Sequence, residues 1–144
     1  MKVRESGDYA RFYEILKNNL KIRHGVLPTH ALEELYALKA RYPGRIRLYG
    51  AYLGETMIAG IVMFDANDRV TLAFYISHDE KYQEYRAVNV LFKEVIADSI
   101  ARRFHYLDFG IFTVNMEPNY GLARFKESFG AGGVFRDTLM LDIK

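Results

Sequence analysis

Along the first third of the chain, apolar residues recur at helical spacing. Phe12, Ile15, Leu16 and Leu20 mark one face of a helix capped at Asp8 and running to about His24, where Gly25 is a natural stop. Pro28 and Thr29 open a second amphipathic helix whose apolar positions are Leu32, Leu35, Ala37 and Leu38, ended by Pro43 and Gly44. The period then changes to two. Ile46, Leu48, Gly50 and Tyr52 alternate with Arg45, Arg47, Tyr49 and Ala51, which predicts a half-buried strand. Gly54 and Glu55 form a two-residue hairpin loop. Met57 to Phe64 is almost continuously apolar and predicts a central strand covered on both faces. Asp65, Asn67 and Asp68 supply turn chemistry before a third strand, in which Val70, Leu72, Phe74 and Ile76 alternate as far as Ser77.

A polar loop, His78 to Glu84, leads to a long helix with Val88, Leu91, Phe92, Val95, Ile96 and Ile100 as its apolar stripe; Arg102 and Arg103 complement the dipole at its end. Tyr106 to Gly110 reads as a short strand. Asn119 caps a short helix through Ser128, stopped by Gly130, and Val134 to Ile143 reads as the last strand. The order ααβββαβαβ, a meander followed by a strand–helix–strand unit, predicts an α/β (α+β) fold: one mixed, mostly antiparallel sheet with helices on both faces, in a single domain over residues 1–144. In such sheets a ligand groove opens where neighbouring strands part.

Composition narrows the chemistry. The 144 residues contain no cysteine, which removes disulfides, thiolate metal sites and a Cys nucleophile. The net charge of +2 makes no electrostatic case for a dedicated nucleic-acid binder. No secretory leader pattern opens the chain, and its longest apolar run, Met57 to Phe64, is too short to span a bilayer; a cytoplasmic location is the expectation. His24, His30, His78 and His105 have no metal-ligand spacing, so no metal is expected. No nucleophile elbow, P-loop or dinucleotide fingerprint occurs.

The segment Tyr106-Leu107-Asp108-Phe109-Gly110, then Gly121-Leu122 and Phe125-Lys126-Glu127-Ser128-Phe129-Gly130, with Asp137 and Leu139 to Ile143 beyond, carries a resemblance. On this order of elements the chain resembles the GNAT superfamily of acyltransferases. More narrowly it resembles the FemAB-like branch, whose founders transfer amino acids from aminoacyl-tRNA onto peptidoglycan precursors. The resemblance implies an acyl- or aminoacyl-transferase, with acyl-CoA or aminoacyl-tRNA as donor and an amine acceptor. FemAB-like transferases resemble two such domains in tandem. This chain resembles the second, so a fragment of a longer protein, a homodimer or a chain that has lost the chemistry is the expectation.

The departures matter too. GNAT enzymes cradle the pyrophosphate of acyl-CoA on a Gly-rich loop at the start of the long helix. Here Asp79-Glu80-Lys81-Tyr82-Gln83-Glu84-Tyr85-Arg86 has no glycine and three acidic residues, which favours the FemAB-like branch over an ordinary acetyltransferase. Many GNAT enzymes place a Tyr acid seven positions after an Asn; at that offset from Asn119 stands Lys126, as the FemAB-like Phe-Lys pair has it.

The resemblance makes Lys126 the candidate for stabilising an oxyanion or protonating a leaving oxygen, with Phe125 beside it and Asp108 orienting an amine or base. Arg86 is a phosphate contact in place of the missing loop. Tyr75 and Tyr120 line an acceptor groove, Asn119 contacts a ligand, and His78 at a strand end is a possible base. Each has a plainer reading: a solvated Lys126, Arg86 paired with Glu84, Asp108 satisfying backbone N–H groups, Asn119 as a helix cap, and aromatics that pack. Two other functions stay open, a non-catalytic binding or assembly module and an acetyl-CoA-dependent N-acetyltransferase.

Overall fold

Five strands build one sheet in the order β1-β2-β3-β4-β5. They are β1 (Lys2–Ser6), β2 (Ile46–Leu53), β3 (Thr56–Asp65), β4 (Val70–His78) and β5 (Tyr106–Asp108). The first four pair antiparallel, and β5 joins β4 in parallel. A parallel neighbour needs a crossover; here it consists of a 3₁₀ helix (Glu80–Tyr85) and α3 (Ala87–Ala101). Two further helices, α1 (Tyr9–His24) and α2 (Leu32–Arg41), pack on the opposite face of the sheet from α3. The computed structural model describes residues 1–114 and 116–143, the side chains of Arg23, His24 and Val114 excepted. It divides into two compact units, Met1–Gly110 and Ile111–Lys144. The second holds a small hairpin, β6 (Thr113–Val114) with β7 (Glu117–Pro118), followed by α4 (Tyr120–Glu127).

Local chemistry sets the boundaries. The Asp8 carboxylate accepts the Arg11 N–H at 3.0 Å and starts α1, and Gly25 ends it in the left-handed region at φ 64°. The hairpin at Gly54 and Glu55 forms as predicted, with Leu53 paired to Thr56. Gly50 and Gly60 face each other across β2 and β3; a Cβ on Gly60 would stand 2.5 Å from the Phe12 ring, so the bare backbone admits that side chain.

Several predictions from the chain pattern are corrected. The second helix starts at Leu32, after an Ala31 cap whose N–H donates to the Glu34 carboxylate at 2.6 Å; Thr29 is not its cap. The polar β1 is an additional strand, held by its pairing to β2 and by the Arg4 guanidinium 4.4 Å above the Tyr52 ring. Strand β2 is buried on both faces, because Arg47 and Tyr49 are covered by α3. A bulge places Phe74 as an extra residue between the Val62–Tyr75 and Met63–Ala73 pairs. Burial along β4 is the reverse of the predicted alternation on both sides of the bulge: Thr71, Ala73, Tyr75 and Ser77 are the buried residues. The loop from His78 contains the 3₁₀ helix. Ile100 is 70% exposed, while Ser99 is buried and donates to the Val95 carbonyl at 2.7 Å. Residues 134–143 form no strand; Leu139, Met140 and Ile143 are more than 90% exposed, since strand propensity without a paired ladder fixes nothing.

Candidate functional site

The sheet opens between β4 and β5. Their parallel register runs Val70–Tyr106, Thr71–Leu107, Leu72–Asp108, and ends there, while β4 continues through Ala73 to His78. Asp108 ends β5 by accepting the Gly110 N–H at 2.7 Å, and Gly110 turns the chain at φ 71°. The plainer reading of Asp108 therefore holds: it makes the turn. Through that turn it also shapes the fork. A Cβ on Gly110 would sit 4.0 Å from the Ala73 carbonyl, so the turn lies beside β4 just beyond the last paired residue.

Beyond Ala73 comes the bulge. The Phe74 ring stacks on Phe64 at 4.4 Å and 1°. The buried Tyr75 directs its hydroxyl to the α1–α2 loop: the His30 N–H donates to it at 3.1 Å, and His30 Nδ1 lies 2.9 Å from the same oxygen. Sequence reading missed this partner, because 45 residues separate the two positions.

At the end of β4 the acidic run is tied down by α1. Arg11 pairs with Asp79 at 3.0 Å, and the Asn19 amide donates both to the His78 carbonyl at 3.2 Å and to the Glu80 carboxylate at 3.3 Å. His78 Nε2 lies 3.9 Å from Glu80. Two of the three carboxylates that would repel a phosphate are thus occupied by groups on α1. Arg86 follows as the left-handed residue (φ 46°, ψ 41°) that ends the 3₁₀ helix and caps α3. Its own N–H donates to the Gln83 carbonyl at 3.1 Å, and its carbonyl accepts the Asn89 N–H at 3.0 Å. The side chain of Arg86 is exposed, and among the described residues it forms no ion pair with Glu84. The chain thus offers an exposed positive charge at the start of α3.

In the second unit, Asn119 caps α4, accepting the Leu122 N–H at 3.0 Å while its own N–H donates to the Phe112 carbonyl at 2.8 Å. Tyr120 is 68% exposed, and the Phe125 ring meets Phe129 edge-on at 5.3 Å. Lys126 is buried, not solvated, and its ammonium donates to the Ile111 carbonyl at 2.6 Å.

A second polar cluster went unforeseen. On the α3 face, the buried Arg47 bonds Asp65 and Asp98, each at 2.9 Å, and the Tyr49 hydroxyl at 3.0 Å. Asp65 also accepts from Thr71 at 2.8 Å and Arg102 at 2.7 Å. Burial raises the Asp65 carboxyl above its ordinary range, with the Thr71 hydroxyl and the Arg47 guanidinium pulling it back. Burial and then the Asp98 hydrogen bond push the Tyr49 phenol upward. With every carboxylate engaged by guanidinium, phenol or hydroxyl groups, this cluster joins α3 to the sheet.

A meander, a crossover helix and a parallel strand that parts from its neighbour define a mixed α/β acyltransferase-type fold. The acetyltransferase (GNAT) domain family matches residues 2–127, and the chain belongs to that family. Solved structures share the fold. A possible acetyltransferase from Clostridium difficile 630 superposes with a TM-score of 0.77 at 12% identity, over 99% of this chain and 97% of that one. An aminoglycoside acetyltransferase from an uncultured soil metagenomic sample gives 0.68 at 13% identity, over 98% and 96%. The ribosomal-protein-alanine N-acetyltransferase of Brucella melitensis biovar Abortus 2308 gives 0.68 at 11%, over 99% and 100%. No curated protein shows significant similarity to the chain. Among the described residues, no helix is long and apolar enough to cross a membrane.

Proposed function

We propose that this domain transfers an acyl group from a CoA thioester to an amine acceptor, with the donor lying along the β4–β5 fork. The observation that carries the reading is the loss of pairing beyond Leu72 and Asp108 in a GNAT-family chain. Backbone groups of β4 after Ala73 are then available to an extended donor, as a further strand would be. Arg86 and the first turn of α3 receive the pyrophosphate, and the acceptor amine attacks the bound acyl carbon directly. The protein supplies position and electrostatics, without a covalent intermediate. Acetyl-CoA titrated calorimetrically into the chain should give saturable heat, and Arg86→Glu should weaken binding about tenfold or more. No heat at millimolar acetyl-CoA would remove the CoA reading.

A FemAB-like aminoacyl transfer is the second reading, favoured by the buried Lys126 at the position of the Phe-Lys pair. Its ammonium would stabilise charge developing on an ester donor such as aminoacyl-tRNA. Lys126→Ala should then lower turnover by about a hundredfold or more, beyond whatever the loss of its bond to the Ile111 carbonyl costs in melting temperature; an unchanged rate removes Lys126 from the chemistry. Both readings include self-association, for which the exposed apolar side chains of residues 134–143 offer surface. A single species at monomer mass in sedimentation at high concentration would oppose it. Detection of acyl transfer to any amine eliminates a purely non-catalytic module.

A further inference from the structure

We propose that the end of the sheet from which β4 and β5 start is a docking surface for a single-stranded nucleic acid. The proposal is independent of both transfer readings. Strand register gathers three turns at that end: the approach to β2 at Arg45, the β3–β4 turn from Ala66 to Arg69, and the α3–β5 connection from Arg102 to His105. Backbone bonds join them. The Asp65 N–H donates to the Arg45 carbonyl at 2.8 Å, and the N–H groups of His105 and Tyr106 share the Arg69 carbonyl at 2.9 and 3.0 Å. The net charge of +2, averaged over the chain, conceals what collects here. Arg45 pairs with Asp68, Arg47 with Asp65 and Asp98, and Arg102 with Asp65, so these carboxylates are engaged. Arg69, Arg103 and His105 are exposed, and among the described residues none of them pairs with a carboxylate. The helix dipole draws cations to residues 102 and 103. It has no hold on Arg69, which is fixed in its turn by Asn67: that side chain accepts the Arg69 N–H at 2.8 Å and the Val70 N–H at 3.0 Å.

These groups present hydrogen-bond donors. Arg69 Nη2 lies 3.4 Å from His105 Nδ1. A guanidinium has no acceptor, so the imidazole nitrogen accepts and the ring carries its proton on Nε2. The rest of the guanidinium and the Nε2–H then face an anion as donors only. Beside them stands the Tyr106 ring, 64% exposed, with its centroid 6.5 Å from that of His105. Guanidinium groups match phosphate oxygens, and an exposed phenol face takes a base. An acidic peptide would satisfy the arginines and leave the aromatic face unused. A bilayer would need more apolar surface than the exposed Ile100 and Tyr106 provide. A strand of alternating phosphates and bases uses both features. The surface is also remote from the start of α3. Arg86 opens that helix and Arg102 closes it, and the 15 residues between them span about 22 Å.

The test is fluorescence anisotropy of short labelled oligouridylate and oligoadenylate strands with the full chain, between about 50 and 200 mM salt. Both strands should bind at the low end and weaken as salt rises. Arg69→Gln combined with Arg103→Asn removes both guanidinium groups, and Asn tolerates the φ of 63° at residue 103. This pair of changes should weaken binding about tenfold or more. It should also reduce the slope of log K against log salt by about 1.4, or about 0.7 for each lost phosphate contact. Tyr106→Ala should weaken binding about tenfold and leave the salt slope as it is. Arg86→Glu, more than a Debye length away, should change the affinity less than about twofold. Absence of binding at low salt overturns the proposal. So does binding that survives the Arg69→Gln, Arg103→Asn chain and falls in Arg86→Glu, which would place the strand at the other end of α3. Polyglutamate or phosphatidylglycerol vesicles bound as tightly as the oligonucleotides, with no dependence on Tyr106, would overturn the choice of nucleic acid in favour of an acidic protein or a membrane. None of these outcomes bears on acyl transfer, which acetyl-CoA calorimetry judges separately.

Discussion

The two faces of the sheet are built by opposite means. Toward α1 and α2, Tyr9, Phe12, Ile15, Leu16, Leu35, Leu48 and Val62 form a largely apolar core whose polar atoms are phenol hydroxyls, those of Tyr9 and Tyr75 among them. Toward α3, neighbouring positions on the same strands carry Arg47, Tyr49, Asp65 and Thr71, joined to Asp98 and Arg102. Alternation along β2 therefore separates apolar-buried from charged-buried residues. It does not separate inside from outside. The apolar face tolerates compensating changes of volume and punishes voids. The charged face depends on complete pairing, because one missing partner leaves an ion stranded in a low-dielectric layer.

The largest expected effect lies on the charged face. Asp65→Leu leaves Asp98 as the one carboxylate partner of the buried Arg47 among the described residues and takes from Arg102 its 2.7 Å partner. It should cost about 3–5 kcal/mol in urea or thermal unfolding. Arg47→Met combined with Asp65→Leu removes the main mismatch and should lose less than Asp65→Leu alone. A double variant as unstable as the sum of the singles would mean that the two residues do not act as a pair.

On the apolar face the matching experiment changes volume. Gly60→Ala puts a methyl 2.5 Å from the Phe12 ring, a contact that a packed aromatic relieves only by moving. A loss of about 1–3 kcal/mol is expected, partly recovered when Phe12→Leu is added. No loss on Gly60→Ala would show that the α1 face is looser than its burial implies.

Local features were legible in the chain. The Asp8 and Asn119 caps, the stop at Gly25, the hairpin at Gly54 and Glu55, and the doubly covered β3 all depend on residues within a few positions of each other. What escaped depends on distant partners. β1 is polar because an edge strand needs little apolar surface and uses charge against unwanted pairing. The Phe74 bulge, and the burial of Thr71, Ala73, Tyr75 and Ser77 in place of the apolar positions of β4, have no local signal in the pattern of Val70 to Ser77. At the candidate site, Arg86 and Asp108 were found through motif position, and the structure gives each a backbone role at the helix start and the fork. The His30–Tyr75 contact was invisible, because only folding brings the α1–α2 loop to Tyr75.

The smallest predicted effect compares two buried phenols, one from each face. Tyr9 on the α1 side is pushed up to about 12, first by burial and then by Glu5; its hydroxyl has only a long 3.4 Å bond to the Ile46 carbonyl. Tyr49 on the α3 side is raised further, by burial and then by its 2.8 Å bond to Asp98. An unfolded tyrosine ionises near 10, so each phenol favours the unfolded chain as pH rises past its ordinary value. The stabilisation is complete below pH about 10 and, for Tyr9, is lost as pH climbs to about 12. Melting temperature should fall across this window, and Tyr9→Phe should flatten the decline. Asp98→Asn should reduce the alkaline loss that belongs to Tyr49 and leave the Tyr9 part in place. Equal flattening of both parts by Asp98→Asn would show that the two faces are electrostatically continuous through the sheet.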